Sequence, residues 1–186
     1  MGTRLTSEER SRIHWCQLYF ALPREGVARR FPTAESAEAQ VCRVRWPSGI
    51  RCPRCEAMDI LHFEARKRYQ CRKCRHQFSA KTGTIFHGSN ITIRKWLLAA
   101  EYIIASYARD RATYVLTSHQ LKDRIGLSYK VAHARRKDLM NDLTNTTPGL
   151  IARSICTDPI QLPPDLVPYS SEHLMWCRDR LASKPA

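Results

Sequence analysis

"RWPSGIRCPRC" at residues 45–55 and "RYQCRKCRHQFSAKTGTIFHGS" at residues 68–89 decide the fold of this chain. Each stretch contains a pair of cysteines, and together they follow the pattern C-x2-C-x15-C-x2-C. This spacing is typical of a tetrahedral zinc site, because each pair can place two thiolates at one tight turn. We therefore predict one structural Zn²⁺ bound by four ligands: Cys52, Cys55, Cys71 and Cys74.

Other uses of these cysteines are less consistent with the sequence. Two disulfides would need an oxidising compartment, and the N-terminal "MGTRLTSEER" lacks the apolar core of a signal peptide. A redox C-x-x-C site would not need a second pair at this spacing. Three histidines lie close enough in sequence to serve as alternative ligands: His62, His76 and His87. Four cysteines leave no open coordination position, which indicates a structural and not a catalytic metal.

Positive charge is concentrated in two central blocks of the chain, which has 186 residues and a formal net charge of +14. Residues 43–95 contain 13 Lys or Arg against 3 Asp or Glu, and residues 109–137 contain 8 against 2. Such blocks favour a polyanionic partner, and nucleic acid above all. A solvated basic surface without a specific partner is the alternative.

The apolar pattern indicates a folded protein that does not enter a membrane. Hydrophobic residues make up 43% of the chain, but the longest apolar run, residues 96–108, contains Glu101 and is too short to span a bilayer. We expect a cytoplasmic, nucleoid-associated protein with no membrane partner. The sequence assigns no oligomeric state.

Periodicity and turn residues predict an α+β fold, with a small β zinc ribbon flanked by helices and followed by a helical helix-turn-helix domain. Thr6 and Thr33 are predicted to cap helices over about 7–20 and 34–46, and a helix with one buried face is predicted over 92–108. Four segments follow: an N-terminal helical segment (1–46), the four-cysteine zinc ribbon (47–90), the helix-turn-helix domain (91–145), and a Pro-rich connector with a short C-terminal helix (146–186).

The helix-turn-helix prediction comes from residues around Gly126, which suits the left-handed position after a helix end, while Ser128 can cap the next helix. If that helix turns Ala132, Leu139 and Leu143 to the core, its other side presents four candidate DNA-reading residues: Tyr129, Lys130, His133 and Lys137. Arg135 and Arg136 either contact the DNA backbone or cover the core with their stems. Six basic residues of the ribbon are predicted to contact phosphates: Arg66, Lys67, Arg68, Arg72, Lys73 and Arg75.

Three stretches carry a family resemblance: "FPTAESAEAQVCRVRWPSGIRCPRC", "YQCRKCRHQFSAKTGTIFHGSNITIRKWLLAAEYI" and "SHQLKDRIGLSYKVAHA". Together, over about residues 31–143, they resemble the N-terminal half of insertion-sequence transposases, which carry a zinc ribbon, a helix-turn-helix and then an RNase-H-like catalytic domain. The resemblance implies that the four cysteines hold zinc and that the segment from Thr117 reads DNA. His133 stands where such families often have an aromatic residue.

The chain also departs from these transposases, because only about forty residues follow the predicted helix-turn-helix. The acids there are Asp158, Asp165, Glu172 and Asp179, too few and too close to a Pro-rich connector to build a nuclease. We therefore expect no enzyme but a sequence-specific DNA-binding protein derived from a transposase, acting as a transcriptional regulator or a mobile-element accessory. Two alternatives remain: a truncated transposase that needs a catalytic partner in trans, and a zinc-ribbon adaptor that binds RNA polymerase or another protein through its termini.

Overall fold

A computed structural model of the protein describes residues 5–109, 117–145 and 147–183. The predicted α+β class is confirmed, with eight α-helices and one three-stranded antiparallel sheet in these ranges. The helices are α1 (Ser7–Phe20), α2 (Val27–Arg30), α3 (Ala34–Arg45), α4 (Ile93–Arg109), α5 (Ser118–Ile125), α6 (Tyr129–Thr144), α7 (Leu150–Ile155) and α8 (Ser171–Ser183). The strands are β1 (Ile60–Phe63), β2 (Arg68–Cys71) and β3 (Gln77–Phe78).

Local capping residues start the long helices where the sequence predicts. The Thr6 hydroxyl accepts the Glu9 N–H at 3.2 Å, and the Glu9 carboxylate accepts the Thr6 N–H at 2.9 Å. Thr33 forms the corresponding reciprocal pair with Ser36 at the start of α3. These bonds satisfy N–H groups that have no partner inside the helix, so both predicted helix starts are confirmed.

Helix α4 is the centre of the main hydrophobic core. Its apolar side chains at 93, 96, 97, 100, 103 and 104 are all buried, as their spacing predicts, and Tyr107 stacks on Trp15 of α1 with ring centroids 4.7 Å apart. The same core contains residues of the helices before and after the ribbon, including Val41 of α3, Leu139 of α6 and Leu174 of α8. Helices from both ends of the chain therefore pack around α4.

Helices α2 and α7 are not predicted by the sequence, and distant carboxylates satisfy the N–H groups of their first turns. Glu101 of α4 accepts the Val27 N–H at 2.7 Å, and Asp142 of α6 accepts the N–H groups of Ile151 and Ala152 at 3.2 and 3.1 Å. Burial raises the pKa of the Asp142 carboxyl, although these backbone bonds oppose the shift. Short helices of this kind depend on tertiary contacts, which sequence periodicity does not report.

The β-sheet has the strand order β1-β2-β3 and belongs to a compact unit, here called the ribbon (residues 52–78), that includes both cysteine pairs. Ile60 of β1 pairs with Cys71 of β2, and Tyr69 of β2 pairs with Phe78 of β3. The three strands thus form one sheet. None of the helices in the described ranges combines the length and apolar composition that a membrane crossing requires.

Candidate zinc centre and nucleic-acid interface

The two cysteine pairs occupy two turns of the same geometry. In the first turn the Glu56 N–H donates to the Cys52 carbonyl at 3.0 Å, and in the second the Arg75 N–H donates to the Cys71 carbonyl at the same distance. Glu56 and Arg75 each have φ 58°, in the left-handed region. Each turn therefore reverses the chain directly after its second cysteine.

The four sulfurs of these turns fit a tetrahedral zinc ion. Cys52 Sγ lies 3.6 Å from Cys74 Sγ, Cys55 Sγ lies 3.5 Å from Cys71 Sγ, and all four sulfurs are within 4.8 Å of one another. A Zn–S bond of about 2.3 Å in a tetrahedron requires sulfurs about 3.8 Å apart. The cysteines are thus positioned to bind one zinc ion, which confirms the predicted metal ligands and stoichiometry. Bound there, the metal would cross-link the two turns.

Backbone N–H groups around the sulfurs favour the thiolate form that a metal requires. The Arg54 N–H donates to Cys52 Sγ at 3.4 Å. A backbone hydrogen bond from Cys74 lowers the pKa of the Cys71 thiol to about 7. Near neutral pH about half of Cys71 is therefore already thiolate. The pKa of the Cys55 thiol is instead raised to about 12, because the hydrogen bond with the Ala57 backbone is outweighed by burial and the bonds among the sulfurs, so zinc binding would still displace protons from the cluster.

The histidines considered as alternative ligands lie outside this cluster. His62 stacks on Tyr69 with centroids 4.7 Å apart, His76 is parallel to Phe78 at 6.1 Å, and His87 lies in the loop before α4. The two stacked histidines extend the small ring cluster of the ribbon and do not turn toward the metal site.

Side chains of α3 and its following residue attach the ribbon to the helical core. Trp46 meets Tyr69 and Phe78 edge-on, at centroid distances of 5.8 and 6.1 Å. The Arg45 guanidinium donates to the carbonyls of Ala80 and Thr82 at 2.9 and 2.6 Å. Burial lowers the pKa of Arg45, but these carbonyls satisfy its N–H groups. Arg45 therefore fixes the chain after β3 to the end of α3.

Lys81 has a similar structural task in the loop that leads to α4. Its ammonium donates to the carbonyls of Ser89 and Ile91 at 3.0 and 2.7 Å, and burial lowers its pKa. This contact closes the loop "KTGTIFHGSNI" onto itself. Lys81, one of the basic residues of the stretch 68–89, therefore stabilises the fold through internal hydrogen bonds.

The exposed side of α6 contains the four residues predicted to read DNA. Ala132, Leu139 and Leu143 are buried, as the sequence predicts. All four predicted side chains are exposed, away from these buried residues: Tyr129, Lys130, His133 and Lys137. Gly126, with φ 63°, ends α5 in the left-handed conformation, and Ser128 occupies the N-cap position of α6 without forming the side-chain cap bond.

Arg135 and Arg136, the two arginines of α6 with two possible roles, are both half-buried. The Arg135 guanidinium pairs with Asp138 at 2.9 Å and lies over the Trp96 ring at 5.5 Å from its centroid. Arg136 is half-buried, with its Nε shielded from solvent. These positions agree with arginine stems that cover the core, the second of the roles that the sequence allows.

The ribbon and the helix before it, α3, match a known protein family. Residues 32–77, which include α3 and both cysteine pairs, match the family model described as the transposase zinc-ribbon domain. These residues form a transposase zinc-ribbon domain. The resemblance found in the sequence is confirmed for this range. The matched segment is the zinc-ribbon portion of transposases and not their catalytic domain.

One relative is described as an uncharacterized protein in the transposable element ISH50 of Halobacterium salinarum. It is 29% identical over 125 residues, which are 66% of this chain and 40% of the relative. The chain therefore matches less than half the length of this relative. No solved structure matches the chain.

The six basic residues of the ribbon that are predicted to contact phosphates differ in how far they are already neutralised. Lys67 pairs with Glu35 of α3 at 2.6 Å, and Arg72 pairs with Asp59 at 3.5 Å. The other four form no ion pair with the described part of the chain: Arg66, Arg68, Lys73 and Arg75. All six are exposed, so the domain presents a largely uncompensated basic surface.

Proposed function

We propose that this chain is a sequence-specific double-stranded DNA-binding protein derived from a transposase, acting as a transcriptional regulator or as a mobile-element accessory. One observation carries the proposal: α6 follows α5 after a three-residue turn and exposes Tyr129, Lys130, His133 and Lys137 away from its buried side. In a helix-turn-helix the second helix enters the major groove with its N-terminal residues at the base edges. Three of these four side chains lie within the first five residues of α6.

The zinc-ribbon domain supplies phosphate contacts in this proposal. Arg66, Arg68, Lys73 and Arg75 are exposed and have no ion pair among the described residues, so phosphates can reach them without displacing a carboxylate. The ion pairs of Lys67 and Arg72 are also exposed, and exposed pairs stabilise a protein only weakly. Exchange of a carboxylate for a phosphate would cost little there. Contacts of this type position a protein on DNA without reading its sequence.

The comparisons support a mobile-element origin for the proposed role. The zinc-ribbon domain is of the transposase type, and the Halobacterium relative is described as a protein in a transposable element. We infer that residues 1–186 alone do not cleave DNA, because the matched residues 32–77 are not a catalytic domain and residues 146–186 contain only four acids.

Binding titrations across a salt series test the proposal with two sets of variants. DNA selected from a random pool serves as the specific ligand, and random duplex serves as its reference. Lys130→Ala and His133→Ala should reduce the difference in affinity between the specific and the random DNA, since a lost base contact costs about 1–3 kcal/mol. Arg68→Ala and Lys73→Ala should weaken the binding of both DNAs equally. They should also reduce the slope of the log binding constant against the log salt concentration by about one per lost contact.

Arg178→Ala is a charge-matched control, because Arg178 is exposed on α8 and belongs to neither set. It should change neither the affinity ratio nor the salt slope. If Lys130→Ala and His133→Ala leave the specific-to-random ratio unchanged, α6 does not read DNA and the proposal fails.

A second candidate function is that of an adaptor, or of a transposase fragment with a catalytic partner in trans. Exposed apolar side chains near the C-terminus favour it: Val167 is 66% exposed, Tyr169 42% and Met175 60%. Such side chains are the type that a protein partner covers. Replacement of Val167 and Met175 by serine should abolish co-purification with RNA polymerase or a full-length transposase if either is that partner. DNA affinity should not change.

A further inference from the structure

Three aromatic rings form a continuous stack across the junction of α5 and α6. The ring centroids of His119 and Tyr129 are 4.5 Å apart with an interplanar angle of 36°. Those of Tyr129 and His133 are 6.1 Å apart at 27°. Ser118 Oγ lies 3.2 Å from His133 Nδ1, so a hydrogen bond fixes the far end of the stack. Tyr129 and His133 are among the predicted DNA-reading residues, whereas Ser118 and His119 of α5 are not.

The position of the stack is not explained by the hydrophobic core. Tyr129 is 47% exposed, and both histidines are exposed as well. An exposed tyrosine at the first position of a helix would otherwise sample several rotamers. Ring pairs at 4.5–7 Å in offset or tilted arrangements attract each other, so the two imidazoles restrict the phenol to one orientation.

The Ser118 bond has a comparable effect on His133. Whichever of the two atoms donates, the bond occupies Nδ1 and leaves Nε2 as the ring nitrogen available to a ligand. The Tyr129 hydroxyl and His133 Nε2 are then two oriented polar groups at the start of α6. Groups of this kind pair with the donors and acceptors that bases present in the major groove.

We propose that His119 and Ser118 are positioning residues for DNA reading, with His119 holding the Tyr129 ring and Ser118 directing His133 toward a base edge. This inference rests on the proposed function. In a helix-turn-helix the first helix crosses the DNA backbone while the second reads bases. His119 and Ser118 lie on the first helix and act through residues of the second.

The free protein provides a test that needs no DNA. His119→Ala removes one ring of the stack, and His119→Phe keeps a ring while removing the nitrogens. In NMR spectra, His119→Ala should move the Tyr129 ring protons toward their unstacked shifts, and His119→Phe should keep them displaced. Asn141→Ala, at an exposed position near the other end of α6, is the control. Unchanged Tyr129 resonances in His119→Ala would overturn the proposed stacking.

Double-mutant cycles on DNA binding test the positioning role. His119→Ala should reduce the specific-to-random affinity ratio about two- to tenfold, the range expected for one ring pair. It should have no further effect in a Tyr129→Ala background, because the two residues act as one unit. Ser118→Ala should likewise lower the ratio only when His133 is present. His119→Phe should restore the ratio that His119→Ala lowers.

The outcomes separate this inference from the proposed function. If His119→Ala lowers the ratio equally with and without Tyr129, His119 contacts DNA directly and the positioning role is refuted. If Lys130→Ala lowers the ratio but Tyr129→Ala does not, the inference fails while the proposed function survives. If neither Lys130→Ala nor Tyr129→Ala changes the ratio, the inference and the proposed function both fail. The thermal unfolding midpoints of the His119 and Tyr129 variants should equal that of the wild type, because both rings are exposed.

Discussion

Replacement of Cys74 by serine should unfold the ribbon while the helical core stays folded. Cys74 supplies one of the four sulfurs that meet within 4.8 Å. A serine hydroxyl at this position is a far weaker zinc ligand than a thiolate. The change therefore removes a large part of the metal-binding free energy with almost no change in side-chain volume.

The apolar contacts of the ribbon are too few to compensate. Apart from two of the ligands themselves, its buried side chains are Tyr69 and Phe78. The burial of two such rings contributes about 3–6 kcal/mol, whereas structural zinc in small peptides contributes roughly 10–16 kcal/mol. The metal is thus the larger contribution by a factor of about two or more. The helical core does not depend on it, because its own buried cluster is built around α4.

Hydrogen–deuterium exchange measures the two regions separately. In Cys74→Ser, or in wild type treated with a chelator, the amides of Cys52 and Cys71 should lose protection while those of α4 keep it. Far-ultraviolet circular dichroism should show little loss of helix. Cys156→Ser is the matched control, since Cys156 is outside the metal cluster and a serine there can still donate to the Leu18 carbonyl, now 3.5 Å away. Wild-type protection of the ribbon amides in metal-free protein would refute the reasoning.

Three further predictions concern stability and activity. Gly149→Ala should destabilise the protein by about 1–3 kcal/mol in urea unfolding, because an added Cβ would lie 2.3 Å from the Asp142 carboxylate; an unchanged midpoint would contradict this. Stability should fall as pH drops below about 6.5, because burial lowers the pKa of His173 from its ordinary value of 6.5 and the unfolded state therefore takes up the proton first. His173→Gln should flatten that pH dependence, and an identical slope would show that another group is responsible. The protein with Mg²⁺ or Mn²⁺ should leave supercoiled and end-labelled DNA intact; cleavage that co-purifies with the folded protein would contradict the proposal that residues 1–186 alone do not cleave DNA.

Features determined by neighbouring residues could be predicted from the sequence. The helix starts at Thr6 and Thr33 depend on a side chain three residues away, and the metal site depends on two short turns at fixed spacing. The buried face of α4 follows from periodicity within one helix. These features are encoded within a few residues of where they appear.

Contacts between residues far apart in sequence could not be predicted. Helix α7 requires the Asp142 carboxylate of α6, and the attachment of the ribbon requires Arg45 to meet the carbonyls of Ala80 and Thr82. His119 shows no periodicity or spacing that would relate it to Tyr129, ten residues later. Such pairs become visible only when the fold brings their elements together.

The two turns that hold the cysteines have the same backbone shape, but the residues that end them carry opposite charges. A left-handed residue other than glycine costs about 1–2 kcal/mol, and the chain places Glu56 in one turn and Arg75 in the other. Glu56 offsets the single arginine of the first turn, whereas Arg75 adds to Arg72 and Lys73 in the second. A polyanion would therefore be attracted by the second turn much more strongly than by the first. The two cysteine turns therefore differ in charge although they share one backbone shape.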